Sequence, residues 1–256
     1  MIFDISNKKI LLIGGNGLLG SQYINFLLKK VKFISVIDLD SNNIKKNLLE
    51  NNIKFFQSNI SNYEHFVKTI KKSIKFMNGI DVLINNAALT AEFSVNNKKI
   101  FDEFNFQAWK ESIDITLNGT YLGCTTVLPY MIKKKKGQII NIGSHYGVVS
   151  PNHEIYKNEN FNCPVSYSAS KSAVISLTKW MGTKYAKSGI RINCISPGGV
   201  INNQSKVFIK KYSKLNPMKR MAKKNEFNGI LHYLISEESK YVIGQNFVID
   251  GGATTW

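Results

Sequence analysis

The stretch Lys9-Ile10-Leu11-Leu12-Ile13-Gly14-Gly15-Asn16-Gly17-Leu18-Leu19-Gly20 joins an apolar run to a glycine-rich turn, after which a helix is predicted to begin near Ser21. An apolar run of this length is consistent with a buried strand. Glycines allow a tight turn, and they let backbone N–H groups reach a pyrophosphate at the positive N-terminus of the following helix. The position after the first strand is the one that a dinucleotide fingerprint requires. The turn therefore predicts a dinucleotide site at Gly14, Asn16, Gly17, Leu18, Leu19 and Gly20.

An aspartate ends the second apolar run, where a dinucleotide site needs a carboxylate. Asp38 follows Gly14 by 24 residues, close to the offset of the acidic residue that binds the adenosine ribose hydroxyls. A carboxylate there repels a 2′-phosphate, and Leu39 follows it in place of an arginine that would accept one. We therefore expect NAD rather than NADP, with Asp38 and Leu39 at its adenosine end. The alternative, an aspartate that caps the next helix, fits Asp40 or Ser41 better.

Short apolar runs alternate with longer segments of helical period, which is typical of a parallel sheet covered by helices. The candidate strands are Lys9–Ile13, Phe33–Ile37, Ile53–Gln57, Val82–Asn85, Gln138–Ile142, Ile190–Ile195 and Phe247–Asp250. We predict an α/β protein with a single-domain, Rossmann-type, doubly wound parallel sheet of about seven strands. A length of 256 residues fits one such domain spanning 1–256, and no repeat or linker composition divides it.

The net charge of +17 raises the alternative of a nucleic-acid-binding protein, because clustered basic residues displace counterions from phosphates. The basic residues are not clustered, since Arg191 and Arg220 are the only arginines and the lysines are scattered. The one dense run, Lys133–Lys136, is predicted at the C-terminus of a helix, where cations are favoured. We predict no nucleic-acid partner, although a positive surface attracts an anionic substrate.

Composition also bears on the compartment and on metals. The sequence contains no run of about 18 apolar residues, the length needed to cross a bilayer, so no membrane partner is expected. The first residues lack the basic and apolar regions of a signal peptide, which predicts a cytoplasmic protein. Cys124, Cys163 and Cys194 are odd in number and widely spaced, which fits neither a disulfide framework nor a metal site.

Tyr167 and Lys171 stand four residues apart, with Tyr167 placed 23 residues after Ser144. On a helix this spacing puts both side chains on one face, where the phenol and the ammonium can converge. A phenol with a pKa of about 10 carries protons poorly at neutral pH unless a nearby cation favours the phenolate. A Tyr and a Lys at this spacing, taken alone, are more often a solvated pair of side chains. Beside a dinucleotide turn, the two residues indicate a catalytic acid/base pair.

Four further motifs follow in order, and with the features above they resemble the short-chain dehydrogenase/reductase family over nearly the whole chain. They are Asn85-Asn86-Ala87-Ala88, Asn141-Ile142-Gly143-Ser144, Pro197-Gly198-Gly199-Val200, and Gly244-Gln245 with Val248-Ile249-Asp250-Gly251-Gly252. The resemblance implies an oxidoreductase that transfers hydride between a nicotinamide cofactor and a substrate hydroxyl or carbonyl. It also implies a homo-oligomer, either a dimer or a tetramer.

The resemblance assigns roles to individual residues. Tyr167 would take or return the substrate proton, Lys171 would lower the pKa of that phenol and hold the nicotinamide ribose, and Ser144 would donate to the substrate oxygen. Besides Tyr167 and Lys171, the motifs and their neighbours imply cofactor contacts at Asn59, Ile60, Asn86, Ala87, Ala88, Pro197, Gly198 and Val200. Among these, Asn59 replaces the family's usual aspartate.

Two departures from the family concern the catalytic helix and the glycine turn. Thr116 stands where the family carries a catalytic asparagine that supports a water chain to the lysine. Asn118 lies two positions on, about 200° around a helix, so it should not replace that asparagine directly. Either Thr116 holds the water or the proton relay differs. The glycine spacing is of the extended type, with Leu18 where short-type members carry glycine, whereas the length and the C-terminal Asp-Gly-Gly favour the short type.

The interval between Ser144 and Tyr167 is longer than in the family, which indicates an insertion near residues 151–163. Both ends of the insertion enter the active site, so we expect it to lie over the substrate. Its polar and aromatic side chains suit a hydroxyl-rich ligand better than a steroid or an acyl chain. The alternative is a surface loop with no substrate role. A second extension, near 91–107, is expected to form the opposite wall.

The insertion, the stretch from Cys194 to Gln204 and the terminal Trp256 resemble a smaller group of the family, found with flagellin modification and sialic-acid-like sugars such as legionaminic acid. This implies a sugar, a sugar phosphate or a nucleotide sugar as substrate in bacterial glycan biosynthesis. Lysines of the insertion and of residues 207–214 are candidates for a phosphate contact. Two alternatives remain. A sugar-nucleotide epimerase or dehydratase needs a larger C-terminal domain, and a non-catalytic NAD-binding protein predicts a broken Ser/Tyr/Lys set.

Overall fold

A parallel sheet of seven strands organises the computed structural model, which describes residues 2–89, 105–159 and 161–256. The strands are β1 Lys9–Ile13, β2 Phe33–Asp38, β3 Ile53–Gln57, β4 Val82–Asn85, β5 Gly137–Ile142, β6 Ile190–Pro197 and β7 Asn246–Ile249. The helices are α1 Leu18–Leu27, α2 Tyr63–Phe76, α3 Phe106–Ile113, α4 Gly119–Lys134, α5 Val165–Tyr185, α6 Lys206–Leu215 and α7 Asn228–Ile235. A π-helical turn, Asp114–Asn118, joins α3 to α4.

The strand order is β3-β2-β1-β4-β5-β6-β7, with every pairing parallel. The chain therefore adds β2 and β3 on one side of β1 and then β4 to β7 on the other side. This order confirms the predicted doubly wound α/β fold. In such a sheet the strand order reverses between β1 and β4, and a crevice opens there at the carboxyl ends of the strands. That edge is where the predicted site residues converge.

Two predicted element boundaries differ from the structure for local reasons. Strand β6 continues to Pro197 because that residue still pairs with Ile249 of β7. Helix α1 begins at Leu18 rather than near Ser21, since Gly17 is already the extended N-cap residue and its carbonyl accepts the Ser21 N–H at 2.9 Å. The other predicted strand ends agree with the structure to within one residue.

Side chains of alternate residues in the central strands pack into two apolar layers, one on each face of the sheet. Leu12 packs into one layer, which also holds Ile24 and Leu231 from α1 and α7. Leu11 packs into the other, which holds Phe66 of α2 and further side chains from α4. This arrangement follows from the two-residue period of a strand, and it explains why β1 reads as a continuous apolar run.

None of the helices within the described ranges combines the length and the apolar character needed to cross a bilayer. The three cysteines are free thiols, and all of them are buried.

Candidate active site

The glycine-rich turn closes the carboxyl end of β1 beside the reversal of strand order. Gly14 has a φ of +82°, in the left-handed region that favours glycine, and its carbonyl accepts the side-chain amide of Asn86 at 2.6 Å. A Cβ on Gly14 would lie 2.9 Å from the Cβ of Ala87. Gly17 differs, because the protein atom nearest to its added Cβ is 3.7 Å away. The fold itself therefore leaves room for a side chain at position 17.

Asn16 holds the glycine turn against the acidic loop that follows β2. Its N–H donates to Asp38 Oδ2, and its side-chain amide donates to Asp40 Oδ1, both at 2.7 Å. Asn43 donates two hydrogen bonds to Asn16, both at 2.7 Å. Its backbone N–H donates to Asn16 Oδ1, and its side-chain amide donates to the Asn16 carbonyl. Asp38 further accepts the Leu39 N–H at 2.7 Å. Burial raises the pKa of Asp38, and the two N–H donors oppose that shift. The loop thus fixes a carboxylate at the β2 end of the site.

Strand β5 ends just before Ser144, on the other side of the reversal point. The side chain is buried, and its Oγ accepts the Tyr146 N–H at 3.1 Å, which caps the short 3₁₀ helix His145–Gly147. Because the oxygen acts as the acceptor in this contact, the hydroxyl proton is available to a ligand oxygen.

Tyr167 and Lys171 lie on the first two turns of α5, as the spacing predicted. The Lys171 Nζ lies 5.8 Å from the centroid of the Tyr167 ring. It donates a hydrogen bond of 2.6 Å to the carbonyl of Ile142, the last residue of β5. Only 3% of Lys171 is exposed, and this burial lowers its pKa to about 8. The ammonium form therefore still dominates at neutral pH.

A buried polar chain sets the position of α5 against the sheet. Asn85 of β4 donates to Asn141 Oδ1 at 2.8 Å, and Asn141 donates to the Thr178 hydroxyl on α5 at 2.9 Å. Thr178 lies about two helical turns beyond Lys171 on the same helix. Buried side-chain bonds of this kind admit few alternative registers, so they hold the Tyr167 and Lys171 face toward the end of β5.

Thr116 is fully buried in the π-helical turn before α4. Its hydroxyl accepts the Leu89 N–H at 3.3 Å, and its carbonyl accepts the Thr120 hydroxyl at 2.7 Å. The neighbouring Ile115 lines the cavity described below, whereas Thr116 does not. The first of these contacts connects the π-helical turn to the loop after β4. The catalytic role predicted for Thr116 remains a prediction.

The insertion and α6 together form a roof over the site, which we define as residues 151–159 and 161–163 together with Lys206–Leu215. Ile155, Phe208 and Tyr212 are buried in a separate apolar cluster, against which Tyr156 and Phe161 pack. Two polar contacts reinforce it, from the Ser205 hydroxyl to Glu159 at 2.9 Å and from Lys211 to the Lys157 carbonyl at 2.7 Å. Tyr156 and Phe161 face the cavity, where the sequence predicted the insertion to lie.

One cavity of about 970 Å³ runs along the carboxyl ends of the strands, beneath the roof. All but two of the predicted site residues line it: Gly14, Asn16, Gly17, Leu18, Leu19, Asp38, Leu39, Asn59, Ile60, Asn86, Ala87, Ala88, Ser144, Tyr167, Lys171, Pro197, Gly198 and Val200. The exceptions are Thr116 and Gly20. A Cβ on Gly20 would lie 2.8 Å from the Cα of Gly15, so this glycine allows α1 to pack on the turn and does not face the cavity. Most of the second predicted extension, 91–104, lies outside the described residues.

Several cavity residues were not predicted from the sequence. They include Asp40, Asn43, His145, Tyr146, Tyr212, Met221 and Lys224. For His145 and Tyr146 the sequence did carry a local signal, because these two residues directly follow Ser144. The lysines proposed from the sequence for a phosphate contact, those of the insertion and of residues 207–214, do not line the cavity. Lys224, an exposed residue of a short 3₁₀ helix, lines it instead.

The parallel sheet and its strand order define a protein of the Rossmann type. The family model described as short chain dehydrogenase matches residues 8–211. The chain therefore belongs to the short-chain dehydrogenase/reductase family.

Individual relatives agree with that membership. Post-translational flagellin modification protein A of Campylobacter coli is 28% identical over 254 residues, which cover 97% of this chain and 98% of that protein. The 3-oxoacyl-(acyl-carrier-protein) reductase FabG of Buchnera aphidicola is 31% identical over 209 residues, covering 80% and 78% of the two chains. A crystal structure of a short-chain dehydrogenase from Leptospira borgpetersenii with bound NAD+ is 32% identical, with a TM-score of 0.83 and coverage of 98% and 94%.

Proposed function

We propose that this protein interconverts a hydroxyl and a carbonyl on a small polar substrate with a nicotinamide cofactor, preferably NAD. The substrate class is a sugar, a sugar phosphate or a nucleotide sugar. The observation that carries the proposal is that Ser144, Tyr167 and Lys171 line the same cavity as the glycine turn and Asp38. An acid/base pair and a hydroxyl donor beside a dinucleotide turn are the groups that such chemistry requires from the protein.

The residues of the turn fit a dinucleotide. Helix α1 has no acidic residue in its first turn and no side-chain cap, so its first N–H groups are open to an anionic diphosphate. Gly17 leaves the backbone accessible, and Asp38 offers a carboxylate to ribose hydroxyls at the other end. When bound, the nicotinamide supplies or accepts the hydride.

The protein side of the mechanism is proton handling at the substrate oxygen. Tyr167 removes the proton from a hydroxyl during oxidation and returns it during reduction. Lys171, charged at neutral pH and anchored to the Ile142 carbonyl, supplies the positive charge that favours a Tyr167 phenolate. Ser144 donates its hydroxyl proton to the same substrate oxygen and stabilises the negative charge that develops on it.

The roof supports a hydroxyl-rich substrate. The hydroxyls of Tyr156 and Tyr146 lie 3.1 Å apart, and both residues line the cavity. Lys224, which also lines the cavity, offers a positive charge to an anionic substituent. The name of one relative refers to flagellin modification, and the sugar class itself comes from the resemblance of the sequence to the group found with flagellin modification and sialic-acid-like sugars.

A panel of sugars, sugar phosphates and nucleotide sugars, incubated with NAD or NADP, tests the proposal through the absorbance of the reduced nicotinamide. We expect turnover with at least one member of the panel. Turnover of an acyl thioester, with none of any sugar, would instead assign the activity named for the FabG relative. Absence of turnover with both classes would favour a non-catalytic NAD-binding protein.

Replacement of Asp38 by Asn is expected to reduce the preference for NAD. The amide removes the negative charge that repels a 2′-phosphate, while one oxygen can still accept a backbone N–H. We expect the ratio of the Kd for NADP to the Kd for NAD to fall about tenfold or more, as measured by calorimetry. Asp114→Asn, which removes a carboxylate outside the cavity, is the matched control. An unchanged ratio in the Asp38 variant would contradict the assigned cofactor preference.

We also propose that the protein is a homo-oligomer, a dimer or a tetramer. Helices α4 and α5 carry exposed apolar side chains, among them Tyr121, Val165 and Trp180, of which Trp180 is 60% exposed. Exposed aromatic residues of this kind are typical of subunit contacts. Light scattering after size exclusion is expected to give two or four times 28.9 kDa. A mass equal to one chain would exclude the oligomer.

A further inference from the structure

His145 and Tyr212 join three parts of the site that are distant in sequence. His145 follows Ser144 directly, and its Nδ1 lies 3.1 Å from the Pro197 carbonyl at the end of β6. Tyr212, on α6 in the roof, accepts the Gly199 N–H through its hydroxyl oxygen at 2.6 Å. The same hydroxyl lies 3.4 Å from His145 Nε2. The turn 197–199 is therefore held from both sides.

The chemistry of the partners fixes the direction of each hydrogen bond. A carbonyl can only accept, so His145 Nδ1 carries the proton and donates it to Pro197. Nε2 is then an acceptor, which the Tyr212 hydroxyl can satisfy because its oxygen already accepts the Gly199 N–H. Burial lowers the pKa of His145 to about 4, so the imidazole is neutral near pH 7, as this pattern needs.

Packing makes the arrangement rigid. His145 and Tyr212 are buried, 5% and 6% exposed. The His145 ring stacks on Tyr146 with a centroid separation of 3.9 Å. A Cβ on Gly199 would lie 2.5 Å from the Tyr212 ring, so the ring rests directly on the turn. The turn cannot shift without displacing the roof.

The position of this turn along the cavity gives the contacts a role. The glycine turn and Asp38 lie at β1 and β2, whereas Ser144 follows β5 and Pro197 is the last residue of β6. A dinucleotide whose adenosine end lies at Asp38 places its reactive end at the β5 and β6 side, where Tyr167 stands. The turn 197–199 would thus border the nicotinamide end of a bound cofactor.

We propose that His145 and Tyr212 form a clasp that positions the turn 197–199 against the nicotinamide end of the cofactor. This inference rests on the proposed function. Both are positioning residues, because they act through the turn and through the roof. Since Tyr212 belongs to the roof, the clasp also connects the segment that covers the substrate to the turn 197–199 at the nicotinamide end of the cofactor.

Tyr212→Phe tests the clasp, because it removes the hydroxyl and keeps the ring. We expect the Kd for NAD+ to rise about tenfold, since the Gly199 N–H loses its partner and the turn loosens. The Kd for ADP-ribose, which lacks the nicotinamide, is expected to change less than twofold. His145→Phe, which retains an aromatic ring against Tyr146, should act in the same direction. The double variant should be no weaker than the more affected single variant, since both break one clasp.

Tyr23→Phe is the matched control, because it also removes a buried tyrosine hydroxyl, one with no hydrogen-bond partner among the described residues. It should leave both Kd values unchanged. Equal losses of NAD+ and ADP-ribose affinity in Tyr212→Phe, or no loss of either, would overturn the clasp. The readout is binding, so it remains decisive if no substrate turns over: absent turnover contradicts the proposed function, and an unchanged Kd ratio contradicts the clasp.

Discussion

Replacement of Tyr167 by Phe is expected to lower kcat by about 10²- to 10⁴-fold, the range that general acid–base catalysis contributes. The substitution removes one hydroxyl from the cavity and keeps the ring, so the surrounding structure should not change. Stopped-flow or steady-state measurement of nicotinamide reduction, with the substrate that the panel identifies, gives the loss. The Kd for NAD should remain within about twofold of the wild type, because the phenol acts on the substrate proton.

Tyr185→Phe is the matched control for Tyr167→Phe, since it lies on the same helix but outside the cavity. Full activity in Tyr185→Phe together with a large loss in Tyr167→Phe would localise the effect to the acid/base position. Retention of most of the wild-type kcat in Tyr167→Phe would remove Tyr167 from the mechanism.

Replacement of Lys171 by Met is expected to separate activity from stability. We expect kcat to fall by about 100-fold or more, because the site loses the cation beside Tyr167. We expect the apo protein to become more stable by about 1–3 kcal/mol, because a buried ammonium with a pKa near 8 rather than 10.5 carries a desolvation cost. The lost hydrogen bond to the Ile142 carbonyl offsets about 1 kcal/mol of that gain. Chemical denaturation measures the difference.

The stability gap should depend on pH in a defined direction. Below pH 8 Lys171 is charged in both the folded and the unfolded chain, so the folded wild type carries the full cost. Between pH 8 and 10.5 the unfolded chain binds more protons, and the free energy of unfolding attributable to this lysine rises. The advantage of Lys171→Met should therefore shrink across that window. Lys179→Met, an exposed lysine on the same helix, should show neither effect. A variant less stable than the wild type at pH 7 would contradict this account of Lys171.

Local patterns were enough to predict the sheet and much of the site. The central strands β1 and β4 are short, mostly apolar runs, because a parallel strand covered on both faces admits few polar residues. The glycine turn and Asp38 could be located because their chemistry depends on adjacency to a strand end. Tyr167 and Lys171 could be paired because helical geometry alone puts them on one face.

Features that depend on distant partners could not be predicted in this way. Tyr212 and His145 are 67 residues apart and meet only because α6 packs against the turn that follows β6. The contact of Lys171 with Ile142 likewise needs α5 to pack against β5. The sequence placed Thr116 by alignment with an asparagine, but only the π-helical turn reveals that its hydroxyl binds the loop after β4.

The central claim is net oxidation or reduction of a polar substrate by a nicotinamide. The most direct test is to incubate the protein with excess NAD+ and the active sugar of the panel, then quantify reduced nicotinamide and the product mass together. We expect one reduced nicotinamide per substrate consumed and a product that has lost two hydrogens. A product of unchanged mass, or one that has lost water, formed without net reduced nicotinamide, would contradict it and assign an epimerase or dehydratase instead.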